Sequence, residues 1–139
     1  MIGVVIVSHG KLAEEFVKVA EHVMGPQDNL VAIAIDPDEE MEVCRERVLK
    51  AIQDTDRGHG VIVLTDMFGG TPSNIALSLL KKAKIEIIAG FNLPLLIKLL
   101  SVRKTKPIGD AVIQSQEAGQ KYIHVASQIM NKDPKASNE

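Results

Sequence analysis

The run Ile2-Gly3-Val4-Val5-Ile6-Val7, closed by Ser8-His9-Gly10, decides the architecture of this chain. Residues 2–7 are continuously apolar, without the alternation of a strand that has one face in water. That pattern belongs to a strand covered on both faces, as in parallel sheets lying between two helical layers. Residues 11–24 answer it by placing Leu12, Phe16, Val19, Ala20 and Val23 at helical spacing, with Gly25-Pro26 as the stop.

The same unit repeats downstream. A second apolar run, 30–35, ends at Asp36-Pro37, and residues 38–56 then carry Met41, Val48 and Ile52 on one helical stripe. Residues 61–65 read as a third strand and 71–83 as a third helix with Ile75, Ala76, Leu79 and Leu80 facing inward. Residues 85–89 are a fourth strand, and 93–100 a short helix opened by Asn92 and Pro94. Strands alternating with helices across short joints specify an α/β fold, a doubly wound and mainly parallel sheet in the order 2-1-3-4. The last third differs. Residues 107–118 read as helix, whereas 121–126 alternate like a half-exposed edge strand. The domain is therefore drawn as 1–128, followed by a polar C-terminal tail over 129–139.

Composition removes several function classes. A length of 139 residues fits one domain, and 45% hydrophobic residues supply a sizeable core. With three Phe, one Tyr and no Trp, the chain lacks the aromatic platforms on which bases stack. A net charge of −2 with dispersed Lys and Arg gives no basic footprint for nucleic acid. The lone Cys44 cannot close an internal disulfide, and no apolar run approaches membrane-spanning length. The expected setting is cytoplasmic, with no direct membrane insertion.

Chemistry concentrates at strand ends. In open α/β sheets ligands sit beyond the carboxyl ends of the strands, where the strand order reverses. His9 follows the first strand and Asp66 the third, so the order 2-1-3-4 brings both to that crevice. A neutral imidazole attacks phosphorus through one ring nitrogen while its other nitrogen carries the proton and needs an acceptor. Asp66 is the candidate acceptor, setting the tautomer and offsetting positive charge on the ring. In Gly69-Gly70-Thr71-Pro72-Ser73 the glycines admit a close backbone approach, and the helix starting there offers unpaired N–H groups to an anion. Thr71 fits the N-cap and Pro72 the first helical position. Gly69, Gly70, Thr71 and Ser73 are the candidate phosphate-binding residues. Each has an ordinary structural use too: a loop histidine, a tight β-to-α turn, a surface cap. Only their convergence points to catalysis. His22, His59 and His124 lack metal-ligand spacing, so no metal and no cofactor is expected.

These motifs have a family likeness. Val7-Ser8-His9-Gly10, the segment Thr65 to Asn74, and Ala89-Gly90-Phe91-Asn92-Leu93-Pro94 resemble the EIIA component of the mannose family of the bacterial phosphotransferase system, across residues 1–128. The resemblance implies a phosphoryl carrier that takes phosphate from the phosphohistidine of HPr and passes it to an EIIB histidine on a separate chain, for sugar uptake or its regulation. It makes His9 the phosphorylated nucleophile and Asp66 the residue that orients it. It also implies a partner surface of Phe68, Phe91 and Asn92, where many members carry a smaller residue than Phe91. A homodimer that exchanges a C-terminal antiparallel strand, matched by 121–126, is implied as well. Two alternatives share parts of this pattern within phosphotransfer or the fold: the phosphocarrier subunit that feeds dihydroxyacetone kinase, and a regulatory binding module. A small tetrapyrrole metal chelatase shares only the His-Gly after a first strand.

Overall fold

The computed structural model describes residues 1–67, 69–79 and 84–131. In chain order the elements are β1 (Gly3–His9), α1 (Leu12–Met24), β2 (Leu30–Ile35), α2 (Met41–Thr55), β3 (Val61–Thr65), α3 (Thr71–Ser78), β4 (Ile85–Ala89), α4 (Leu93–Val102), α5 (Ile108–Lys121) and α6 (Ala126–Asn131). The strands form one four-stranded parallel sheet in the order β2-β1-β3-β4, as the sequence predicts. β1 is central, which is why its run is apolar throughout.

Alternation along β1 separates two cores. Val5 and Val7 face α2 and α3, joining Cys44, Val48, Ile52, Ile75 and Leu79. Val4 and Ile6 face α1, α4 and α5, joining Ala13, Ala20, Leu96, Leu99 and Leu100. A period of two on a sheet clad on both sides builds both layers from one strand. At the amino ends of the strands, Arg103 closes the structure. It is 1% exposed, and its guanidinium donates to the backbone oxygens of Ile2, Asp28 and Asn29 and to Gln27 Oε1. Burial pulls its pKa down to about 10, opposed by the charge of Asp28 and assisted by Arg57, so it stays cationic at neutral pH.

Several boundaries move. α2 begins at Met41 rather than at residue 38. α3 runs to Ser78, and Leu80 with the rest of the expected 80–83 turn lies outside the described residues. α5 reaches Lys121, three residues past the expected end. The expected antiparallel strand at 121–126 is corrected: Tyr122 N–H donates to Ala118 O and Ile123 N–H to Gln120 O, while Gln128 and Ile129 N–H donate to Val125 O and open α6. Helical bonding claims the backbone there, and the sheet is purely parallel among the described residues. No helix among them is long and apolar enough to cross a membrane.

Candidate active site

The sheet order reverses between β1 and β3, and their register pairs Val7 with Thr65. The next residues of each strand, Ser8-His9 and Asp66-Met67, therefore emerge side by side at the carboxyl end. His9 Nδ1 lies 2.9 Å from Asp66 Oδ2. The same oxygen accepts the His9 backbone N–H at 2.8 Å, and Oδ1 accepts Met67 N–H at 2.9 Å. One carboxylate thus fixes both the main chain and the ring of His9. Burial alone would raise the Asp66 pKa. The hydrogen bonds from the His9 backbone and ring, the ring's charge and the Met67 N–H outweigh it, and the net shift is downward.

The tautomer follows from the acceptor. An ionised carboxylate only accepts, so the proton of a neutral His9 ring sits on Nδ1 and the lone pair on Nε2. The two side chains differ in exposure, 52% for His9 against 11% for Asp66. The carboxylate is the more buried partner, and the ring is half exposed.

Ser8 supports this arrangement in a way the sequence reading does not assign. Its hydroxyl accepts Ala13 N–H at 2.7 Å and donates to Gly10 O at 3.3 Å. The N-cap of α1, Lys11, makes no side-chain cap bond. Ser8 satisfies an orphan N–H of the first turn from five residues upstream, tying the strand exit to the helix start. The signal was present as a cap-type residue, but at an offset that cap patterns do not cover.

Gly70 stands against the other edge of the ring. A Cβ built on it would lie 2.8 Å from His9 Cε1 and 3.2 Å from Nε2, so only glycine leaves the approach to Nε2 clear. Gly69 has φ +88°, a left-handed turn that glycine adopts without strain. Gly70, extended at φ −87° and ψ 175°, is the N-cap of α3, and its carbonyl accepts Asn74 N–H at 2.9 Å. Thr71 is accordingly the first helical residue and not the cap, and Pro72 is the second. Thr71 is exposed beside Gly70, and its N–H lacks an intrahelical acceptor by position.

Three further candidates turn out differently. Ser73 is completely buried and its Oγ has no hydrogen-bond partner among the described residues, so its hydroxyl is not at the surface where a phosphate would dock. Phe91 is 7% exposed and stacks on Phe16 with ring centroids 4.5 Å apart; it is core, not partner surface. The Asn92 amide is spent internally, accepting Leu95 N–H at 3.0 Å and donating to Gly119 O at 2.9 Å. Phe68 lies outside the described residues. No group of three His, Cys, Asp or Glu side chains that could hold a metal gathers among the described residues. What remains is His9, Asp66, Gly69, Gly70 and Thr71: an imidazole oriented by a carboxylate, beside a helix N-terminus of the kind that favours an anion.

Comparison with known proteins identifies the family of the chain. A family model described as the PTS system fructose IIA component, EIIA-man, matches residues 3–116. The chain is 29% identical over 140 residues to the fructose-specific EIIA component of Bacillus subtilis, covering 100% of this chain and 96% of that protein. It is 35% identical over 113 residues to the mannose-specific EIIAB component of Escherichia coli, covering 81% of this chain but only 35% of that longer protein. The crystal structure of the phosphotransferase EIIA component from Streptococcus agalactiae superposes with a TM-score of 0.82 at 27% identity, over 92% of this chain and 99% of the other. With a family model spanning most of the chain and a relative aligned along its whole length, the chain belongs to the mannose–fructose EIIA family of the phosphotransferase system.

Proposed function

We propose that the chain carries a phosphoryl group on His9 Nε2, taken from the phosphohistidine of HPr and handed to a histidine of EIIB. The observation that supports it most is the pairing of His9 Nδ1 with Asp66, which leaves Nε2 as the outward nucleophile with Gly70 beside it. In the transfer, Nε2 forms a bond to phosphorus as the bond from phosphorus to the donor imidazole breaks. The donor ring departs neutral. His9 keeps its Nδ1 proton, becomes a cationic phosphoimidazole ring, and is balanced by the ionised Asp66. The N–H of Thr71 and the positive end of α3 favour the phosphoryl oxygens. Transfer to EIIB is the same step reversed. A half-exposed ring suits delivery between protein surfaces better than capture of a free sugar. Relatives are described as fructose-, mannose- and sorbose-specific, so no one sugar is carried over.

A homodimer belongs to the same proposal, with a second copy covering the exposed apolar surface that follows α5. β4 is an edge strand, and Tyr122, Ile123 and Val125 are 55%, 71% and 55% exposed, apolar surface that a second copy would cover.

The test is intact mass after incubation with phosphoenolpyruvate, enzyme I and HPr. The expected result is an acid-labile gain of one phosphate that is absent from His9→Ala. No gain, or a gain retained by the variant, would overturn the assignment.

A further inference from the structure

Asp66 fixes His9 through its own N–H and its ring, so the chain beyond His9 must be held by other groups. That exit from β1 is tight. Gly10 stands at φ +53° directly after the last strand residue, and Lys11 leads at once into α1. Gly10 N–H donates to Ile35 O of β2 at 3.0 Å, and Gly10 O accepts the Ser8 hydroxyl. Both main-chain polar groups of Gly10 therefore have partners, one on the neighbouring strand and one on the side chain two residues back.

Ser8 governs this exit from inside the sheet. It is completely buried and in register with Ala34 of β2. By the alternation of β1 its side chain follows Val4 and Ile6 toward α1, on the face opposite Val5 and Val7. There the hydroxyl accepts Ala13 N–H at 2.7 Å while its proton reaches Gly10 O at 3.3 Å. Among the described residues it bonds only main chain, on the residue after His9 and in the first turn of α1. Removing that oxygen leaves the N–H of buried Ala13 without its acceptor and frees the Gly10 carbonyl. The consequence reaches the ring. A half-exposed imidazole anchored through one nitrogen is placed no better than its own Cα, and a misplacement of about 1 Å costs on the order of a hundredfold in rate.

With His9 as the phosphoryl carrier, on which this rests, we infer that Ser8 is a positioning residue for the transfer. Its hydroxyl holds the Gly10 carbonyl and the start of α1, so that the His9 ring stays in line with Asp66 and its proton stays on Nδ1. Asp66 acts on the ring directly, whereas Ser8 acts through the main chain that follows the ring. The two residues therefore hold His9 from opposite sides in sequence, and losing either loosens the same Nδ1 contact.

Single-turnover phosphorylation of the full chain by phospho-HPr, across HPr concentrations, tests the inference on the parent, Ser8→Ala and Ser8→Thr. Each rate is divided by the folded fraction read from circular dichroism. Ser8→Ala should lower the maximal rate by about tenfold or more while the half-saturating HPr concentration stays at the parent value. Ser8→Thr keeps the hydroxyl and should recover most of that loss. Nitrogen NMR of the unphosphorylated imidazole, at a pH where the ring is neutral, gives a second readout. The parent should show His9 protonated on Nδ1 alone, and Ser8→Ala a mixture of both tautomers. A Ser8→Ala protein that melts lower yet transfers at the parent rate per folded molecule would reduce Ser8 to a helix cap and overturn the inference. So would a loss confined to half-saturation, or a loss that threonine does not recover. A parent that takes up no phosphate would overturn the function instead; a single tautomer shared by parent and Ser8→Ala would then overturn the positioning role separately.

Discussion

At the carboxyl ends of β1 and β3 an ionised carboxylate faces a half-exposed ring, whereas at the amino ends of β1 and β2 a guanidinium is sealed among backbone carbonyls. Asp66 spends its acceptors on His9 and Met67 and leaves one ring nitrogen unengaged and outward. Arg103 instead ties segments 101, 74 and 75 residues apart in sequence, bonding Ile2, Asn29 and Asp28. The first pair is open enough to be screened, so it adds little to stability and can set the chemistry of the ring. The second is dry, so removing it leaves several acceptors unpaired. One end of the sheet is arranged for reactivity and the other for cohesion.

Asp66→Asn should break this contrast most strongly. The ring loses the acceptor that fixes its tautomer, and transfer from phospho-HPr should slow by between about 10² and 10⁴ fold, by analogy with carboxylates that orient a catalytic histidine. Rapid-quench phosphorylation reads the rate, and an unchanged rate would reduce Asp66 to a cap for Met67. Arg103→Met tests the other end. It should cost about 3 kcal/mol in urea unfolding, because buried carbonyls lose charged donors, while the rate per folded molecule stays at the parent value. A loss under about 1 kcal/mol would show that the two ends are not energetically different. Gly70→Ala sharpens the picture at His9. Its methyl would stand 2.8 Å from Cε1 and 3.2 Å from Nε2, so the ring must shift, and a shift of about 1 Å costs on the order of a hundredfold in rate. Its melting temperature should barely move, since Gly70 is already at a negative φ that alanine adopts.

The same contrast explains what the sequence makes legible. The meeting of His9 with Asp66, 57 residues apart, follows from strand order alone, because two strands flanking a reversal must end side by side. Ser73 escapes because a motif read as a string ignores helical phase. It lies three positions before buried Ala76 on the inward face of α3. Phe91 is misread for a related reason: its position after β4 suggests a rim, but Phe16 of α1 supplies a ring for it to pack on. Residues 121–126 alternate in polarity, yet a strand needs an edge to pair with. Within one chain α5 runs on into Tyr122 and claims the backbone first. The role of Arg103 is invisible locally, since its partners come from the two ends of β-strand connections far away in sequence. Short-range pattern reveals the reactive end, where two strand termini suffice, and conceals the cohesive end, where distant backbone converges.

The smallest effect isolates Asp66 by pH. Its native pKa lies below the ordinary carboxylate value, with burial opposing and the bonds from His9 and Met67 prevailing. Below an unfolded-state pKa of about 3.9 the unfolded chain binds the proton that the native chain still refuses, so native stability falls as pH drops. The contribution is complete above about pH 4 and is lost as pH falls through the lowered native value. Asp66→Asn has no such group, and the other acidic side chains are common to both proteins and cancel in the difference. The stability gap between parent and variant, read from urea unfolding, should therefore close as pH falls below about 4, by about 1 kcal/mol or less for so screened a pair. A gap that stays fixed into acid would mean that the Asp66 carboxylate gains nothing from His9 in the native state. The tautomer control argued from the 2.9 Å contact would then lose its electrostatic basis.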